Sequence, residues 1–368
     1  MKYNAVFIGA GISSLYANYL FLKKHPHAKT IILEKSNHIG GRIAWDNFNG
    51  VEIATGAGVG RYNKDKLLLE LLQEFDISYH VSETRGISSV EAVIKKLNDS
   101  RALIKHGGAD TFRSFGIRVL GAYEYKRFIK DIGYSDFENF EADTALKHYG
   151  FEDMYEKHKI FQFSWKNLIN HLKRGMHIKK NTSVIKIKNG LVTAKDVGGS
   201  LQIYDASHIF VGVTINCLRK LFPGIYPGIH SQHFIRIYVE LNKHLPYLTH
   251  YTICDNILQK VIPIKDKLYM IYADNKNADA LRPLSRKELS VLLQTEFKDT
   301  EIQIVEKRKY YWKEGTHYHS EALVGGRPDP VMVLPDNITI IGELISKNQG
   351  WCGPVLQNIT YLSKEQRF

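Results

Sequence analysis

The chain has 368 residues, 44% of them hydrophobic, with three cysteines and a formal net charge of +12. That length and composition accommodate two domains with sizeable cores and exclude a disordered chain or a small disulfide scaffold. Cys217, Cys254 and Cys352 are far apart, odd in number and in no metal spacing, so free thiols in a reducing compartment are expected.

Residues 3–8 (YNAVFI) read as a short apolar strand. Gly9-Ala10-Gly11-Ile12-Ser13-Ser14 follows, then a helix over 15–22 and a second strand over 30–33 that ends on Glu34. Gly9 permits the tight turn out of the strand. Gly11 lets backbone approach a pyrophosphate, which then rests on the positive end of the helix. Ser14 stands where a very small residue brings helix and strand together. Glu34, about 20 residues past the glycines, is placed to accept hydrogen bonds from ribose hydroxyls. A Gly-rich turn alone is weak evidence and is also what an ordinary tight βα turn looks like. Strand, glycines, helix, strand and terminal Glu in register point to a dinucleotide site.

Gly40-Gly41-Arg42 narrows the class. Two glycines close to phosphates, followed by a fixed cation, suit a dinucleotide larger than a nicotinamide one. The run from Leu33 to Ile43 (LEKSNHIGGRI) resembles the signature of the flavin-dependent amine oxidase superfamily. That group includes monoamine, polyamine and L-amino-acid oxidases, with phytoene desaturases and protoporphyrinogen oxidases as relatives. The resemblance implies an α/β fold: a discontinuous Rossmann-like FAD-binding domain and an α+β substrate domain. It also implies hydride transfer from an amine-bearing carbon to FAD, with O2 returning the flavin to its oxidised form and yielding H2O2. No cysteine stands where monoamine oxidases tether the cofactor, so non-covalent FAD is expected.

Further along, the glycine-rich stretch 50–58 sits where the family places a flavin-contacting turn, with Gly58 closing it; a surface loop is the competing reading. Asn63 is a candidate cap for a helix carrying Leu67, Leu68, Leu71, Leu72 and Phe75 at helical spacing. Residues 85–158 read as a helical insertion, with helices over 90–97, 117–128 and 142–148. A helix over 163–172, strands from 177 and a meander return to the cofactor domain. There Val184 matches the family valine whose backbone meets the adenine; an ordinary buried strand valine reads the same way. The dense cationic stretch Lys173, Arg174, Lys179, Lys180, Lys186, Lys188 and Lys195 lacks the aromatic interleaving of a nucleic-acid module and reads as solvated faces. The overall charge favours anionic ligands or surfaces and opposes steering of polycations such as spermine.

Residues 224–330 are mostly strand. A hairpin is expected over 259–273, a capping box at Ser285 and Glu288 opens a helix through Phe297, and a strand covers 301–312. Residues 337–343 form a buried-type strand ending in Gly342-Glu343, and Gly350-Trp351-Cys352-Gly353-Pro354 opens a last helix. In the family, this Gly-Glu holds a ribitol hydroxyl and the Gly-aromatic turn lies beneath the flavin. The domain division read from the sequence is therefore 1–84, 159–223 and 331–368 for FAD, with 85–158 and 224–330 for substrate.

Many family members place a lysine opposite flavin N5. The matching residue here is Arg236, which cannot supply a tunable pKa and is read either as a grip for a substrate carboxylate or as an ordinary strand arginine. The aromatic pair that frames the amine is matched by Trp351 and, past Trp312, by Tyr318; His317 or His319 is a candidate proton acceptor. Two other readings stand beside amine oxidation: a desaturase-like or porphyrinogen-oxidase-like flavoenzyme, or a flavin-binding scaffold that has lost its redox chemistry. The expected partners are a small-molecule amine and O2, without nucleic acid or metal. The strand beginning at Tyr3, the lack of an apolar run near the ~20 residues of a membrane span and the tail 365–368 without a lipidation box set the expectation of a soluble cytoplasmic protein.

Overall fold

The computed structural model describes residues 2–105, 110–323 and 332–365. The domain boundary read at 330–331 and the tail residues 366–368 lie outside the described residues. The chain divides into two compact units, one of residues 1–84, 158–230 and 323–368 and one of residues 85–157 and 231–322.

In the first unit, β1 (Lys2–Ile8), α1 (Ile12–Lys24) and β2 (Thr30–Leu33) form a βαβ element. Lys23 and Lys24 in the last turn suit the negative end of α1, and Pro26 stops it. β1 pairs in parallel with β2 on one side and with the second half of Leu201–Val211 on the other. Ile178–Lys179 and Ile338–Ile340 extend this parallel sheet at either edge. The first half of Leu201–Val211 turns into an antiparallel meander with Leu191–Asp196 and Thr182–Lys188.

Ile8 is level with both Leu33 and Val211, and Val211 with Ile340. Four strands thus end together, and a crevice outside such carboxyl ends is where open α/β sheets bind ligands. Alternate residues of β1 feed two cores. Ala5 and Phe7 join α1 and the helices Lys66–Glu74, Trp165–Leu172 and Cys352–Lys364; Val6 and Ile8 join Ile215–Leu221 on the other face. Burial on both faces is why β1 is apolar without alternation. Phe7 stacks on Phe210 with centroids 4.8 Å apart.

The second unit is a five-stranded sheet with a helical insertion. Its strand order is Thr252–Ile253, Lys260–Lys265, Leu268–Asp274, Ile229–Leu241, Ile304–His319. One face buries Ile235, Ile237 and Val239 under Asn275–Leu281 and Arg286–Phe297. The capping box at Ser285 and Glu288 is formed, with both reciprocal hydrogen bonds in place. The insertion has its own core around Phe112, Phe128 and Phe137.

Four local expectations are corrected. The cap of helix Lys66–Glu74 is Asp65, not Asn63, and the Asp65 carboxylate is engaged by Arg61. The single helix expected over 117–128 is broken at Gly121, whose φ of +79° ends Phe112–Leu120 and starts Ala122–Ile132. Phe163 closes the strand Lys159–Phe163, and Ser164 caps the helix that follows. The strand expected over 301–312 runs on to His319.

A side chain at Gly9 would meet backbone as well as strain. Its φ is +86°, and a Cβ would lie 2.6 Å from the Gly212 carbonyl oxygen. Gly50 has a similar φ of +85° with nothing within 4 Å. Gly50→Ala is expected to cost the left-handed strain alone, about 1 kcal/mol. Gly9→Ala should cost about 2–3 kcal/mol because overpacking adds to it. Denaturant midpoints of the two variants measure the difference.

Candidate functional site

The aligned strand ends gather four glycine-bearing loops around the start of α1. Gly11 is the N-cap of α1 with no side-chain cap and no acidic residue in the first turn, so the first-turn N–H groups are left for an anion. Gly40 bridges to Gly11, its N–H donating to the Ala10 carbonyl at 2.8 Å. A Cβ on Gly41 would lie 3.1 Å from the Gly11 Cα. Gly212 and Gly342 close on the serines of α1: a Cβ at Gly212 would lie 2.6 Å from Ser14 Oγ, and one at Gly342 3.2 Å from Ser13 Oγ. Ser14, larger than the glycine or alanine expected there, fits because its neighbour is a glycine. Its buried hydroxyl has no hydrogen-bond partner among the described residues.

Glu34 follows β2 and is buried. One carboxylate oxygen accepts from the Ala10 N–H at 2.7 Å, the other from the Ser36 N–H and hydroxyl at 2.8 Å each. A carboxylate offers about four lone-pair positions, so acceptor capacity remains for hydroxyl donors. Thr182 N–H donates to the Glu34 carbonyl, which sets the strand of Val184 beside it. Arg42 forms an ion pair with Glu343, whose other oxygen accepts from the Gly350 N–H at 2.7 Å. Glu343 therefore orients the Arg42 guanidinium and the turn carrying Trp351 together. The Gly58 turn is tied to Arg42 and Trp165 by hydrogen bonds: Ala57 N–H donates to the Arg42 carbonyl, and Trp165 Nε1–H to the Gly58 carbonyl at 3.1 Å. Gly9, Gly11, Ser14, Glu34, Gly40, Gly41, Arg42, Gly58, Val184, Gly342 and Glu343 all belong to this one unit.

Trp351 belongs to it too, with an occupant that sequence reading missed. The Arg61 guanidinium carbon lies 4.2 Å from the centre of its ring. Arg61 is itself buried and paired with Asp65 at 3.0 Å. The R-x-x-x-D spacing was the available signal.

Arg236, Trp312, Tyr318, His317 and His319 lie in the second unit. Arg236 stands opposite Tyr272, with its guanidinium 5.9 Å from that ring, on the sheet face away from Ile235 and Ile237. Trp312 leans on Phe234, and Tyr318 stacks on Phe140 with centroids 5.7 Å apart; burial raises the Tyr318 pKa. His317 and His319 are fully buried, and no group of metal-ligating side chains occurs among the described residues.

A buried charged cluster in this unit had no counterpart in the sequence reading. Lys260 is opposite Tyr272 on the next strand, so Lys260, Tyr272 and Arg236 form one cross-strand row. The Lys260 ammonium sits 3.0 Å from the Tyr134 ring centre. Asp274 accepts from the Ser135 N–H and hydroxyl, and Asp136 accepts from the Tyr149 hydroxyl at 2.5 Å. Burial lowers the Lys260 pKa to about 7, against the pull of Asp274 and Asp136. Burial, then the charge of Asp274, raises Asp136 to about 7. A lysine opening an apolar strand and an aspartate closing the next were the only traces in the sequence.

A family model for an NAD(P)-binding Rossmann-like domain matches residues 8–75. Fold and glycine cradle thus define a Rossmann-type dinucleotide-binding α/β protein with an α+β second unit. A putrescine oxidase variant redesigned in its cofactor binding is similar to this chain over its whole length: TM-score 0.71, 15% identity, 100% of this chain and 98% of that chain covered. Wild-type putrescine oxidase bound to putrescine gives a TM-score of 0.69 at 15% identity with the same coverage. The chain thus shares the overall fold of these putrescine oxidase structures. No curated protein sequence matches it.

The cluster gives a pH prediction. An unfolded aspartate titrates near 3.8, so an Asp136 raised to about 7 loses stability as pH rises between those values. An unfolded lysine titrates near 10.5, so a Lys260 lowered to about 7 regains stability as pH rises from there. The melting temperature should therefore dip near neutrality. Asp136→Asn should flatten the acid limb and Lys260→Met the alkaline limb, as read by thermal melts across pH.

Proposed function

We propose that this chain is an FAD-dependent oxidoreductase that oxidises a small amine, with non-covalent FAD and O2 as the electron acceptor. The observation that carries this reading is the cradle at the sheet's carboxyl ends: an uncapped helix start crowded by glycine backbone, with Glu34 on one side and Arg42 held by Glu343 on the other. The α1 N–H groups and Arg42 would hold the pyrophosphate, Glu34 the ribose hydroxyls of the adenosine, Val184 the adenine edge and Glu343 a ribitol hydroxyl. Gly58 and the Trp351 turn would pass beneath the ring system. The bound flavin would accept a hydride from the carbon bearing the amine, and the protein would orient the substrate and exclude water. Arg236, beside Tyr272 in its cross-strand row, would hold a substrate carboxylate, which favours an amino-acid-like amine over a polycation. Trp312 and Tyr318 would line the substrate side. The division into 1–84, 159–223 and 331–368 for cofactor and 85–158 and 224–330 for substrate belongs to the same proposal, as does the soluble cytoplasmic setting. No helix among the described residues is long and apolar enough to cross a membrane.

A second reading, a desaturase-like flavoenzyme or a redox-silent flavin scaffold, draws support from Arg61. Its guanidinium covers a face of Trp351 that an amine cage would leave open to substrate.

The visible spectrum of the purified protein, followed by anaerobic addition of monoamines, putrescine and amino acids, tests the proposal. Bleaching by one class of amine, with peroxide on readmitting air, is the expected result. A bound flavin bleached by dithionite but by no amine would favour the second reading, and a protein that FAD cannot reconstitute would overturn both. Arg42→Ala should weaken FAD binding about 10–100-fold, the worth of one charge-assisted hydrogen bond, by fluorescence titration. Arg42→Lys should retain part of it.

A further inference from the structure

The antiparallel meander of the first unit carries an outer face that nothing in the cofactor site uses. Register assigns its side chains: Lys188, Leu191 and Asp205 form one cross-strand row, Lys186, Thr193 and Ile203 the next, and Ser183, Lys195 and Leu201 the third. The opposite face holds Val192, Ala194, Tyr204 and Ala206, all buried in the core. On the outer face Ile203 is 67% exposed and Leu201 63%; Val197, in the turn that joins the two strands, is 83% exposed. Ile185, at the register shift of the edge strand, and Leu191 are also exposed. Five of the fifteen exposed large apolar side chains among the described residues thus fall within 185–203. Isolated apolar residues on a surface need no explanation, but a contiguous group does.

Charge identifies the occupant. Lys186, Lys188 and Lys195 are exposed among these apolar side chains, and Asp205 is the one acidic residue in the three rows. A second copy docking through the same face would set lysines against lysines. A nucleic-acid strand would ask for stacking rings, and the rows contain none. An anionic bilayer matches both components: lysines meet acidic headgroups, and Val197, Leu201 and Ile203 enter the boundary with the acyl chains.

We propose that the meander face spanning Lys186, Lys195, Val197, Leu201 and Ile203 docks reversibly on an anionic lipid surface. The docking is peripheral and asks for no membrane-spanning segment. It is independent of the flavin proposal, because none of these residues lines the glycine cradle.

Co-sedimentation with phosphatidylcholine vesicles, with and without phosphatidylserine, tests it on the full chain. Binding to the anionic vesicles only, weakening as salt is raised, is expected. Lys186→Glu with Lys195→Glu should reduce vesicle affinity at least about tenfold. Val197→Ser with Ile203→Ser should reduce it at unchanged charge. Equal melting temperatures would show both variants folded. No binding to anionic vesicles by the unaltered chain overturns the proposal, and so does undiminished binding by the folded variants. A concentration-dependent dimer in sedimentation velocity, abolished by Val197→Ser with Ile203→Ser, would assign the face to a second copy and likewise overturn it.

Discussion

Everything in the first unit depends on backbone meeting backbone at the end of a sheet. Ile8, Leu33, Val211 and Ile340 finish level, and the loops that leave them converge on one helix terminus. Gly9 against Gly212, Gly41 against Gly11, and Gly342 against Ser13 are approaches that a β-carbon would block or strain. The result is a surface of first-turn N–H groups without a side-chain cap. Such a surface is costly to leave uncovered by water or ligand, and it attracts negative charge without a single mobile cation. Arg42 adds one cation, and Glu343 holds it in place.

The second unit has the opposite character. Its polar groups sit deep among rings. Lys260, Asp136 and Asp274 are buried together with Tyr134, Tyr149 and Tyr272, and the charges face a strong desolvation cost. Ser135, Gln259 and Asn275 tie the insertion to the sheet through hydrogen bonds around that cluster. A buried polar network of this kind selects one relative placement of insertion and sheet, because any slip leaves a charge unpaired.

The sequence made the first unit legible because its constraints are local. Gly9, Gly11 and Glu34 lie within one βαβ element, and each spacing carries its own steric or hydrogen-bonding reason. The hairpin over 259–273 and the capping box at Ser285 were legible for the same reason. The cation over Trp351 and the cluster around Lys260 were not: Arg61 and Trp351 are 290 positions apart, and Lys260 meets Asp136 through the tertiary fold alone. Periodicity also merged two helices across Gly121, because Ile117 and Phe128 carry apolar spacing straight through a residue whose backbone turns the chain. Whether Ser14 fits where a very small residue is asked for was not legible either, because Gly212, far along the chain, decides it.

The parallel sheet of the first unit is assembled from remote pieces. β1 opens the sequence, its neighbour Leu201–Val211 lies near the middle, and Ile338–Ile340 comes near the end. On a ribosome, the N-terminal βαβ element would emerge long before the strand that lies beside it. The exposed edge of β1 must wait for some 200 residues, and the edge of Leu201–Val211 for a further hundred or more. Such late, long-range pairings fold slowly and leave sticky edges open meanwhile. The glycine cradle can close only after Gly342 has been synthesised, so the ligand-binding form waits for the last of these strands.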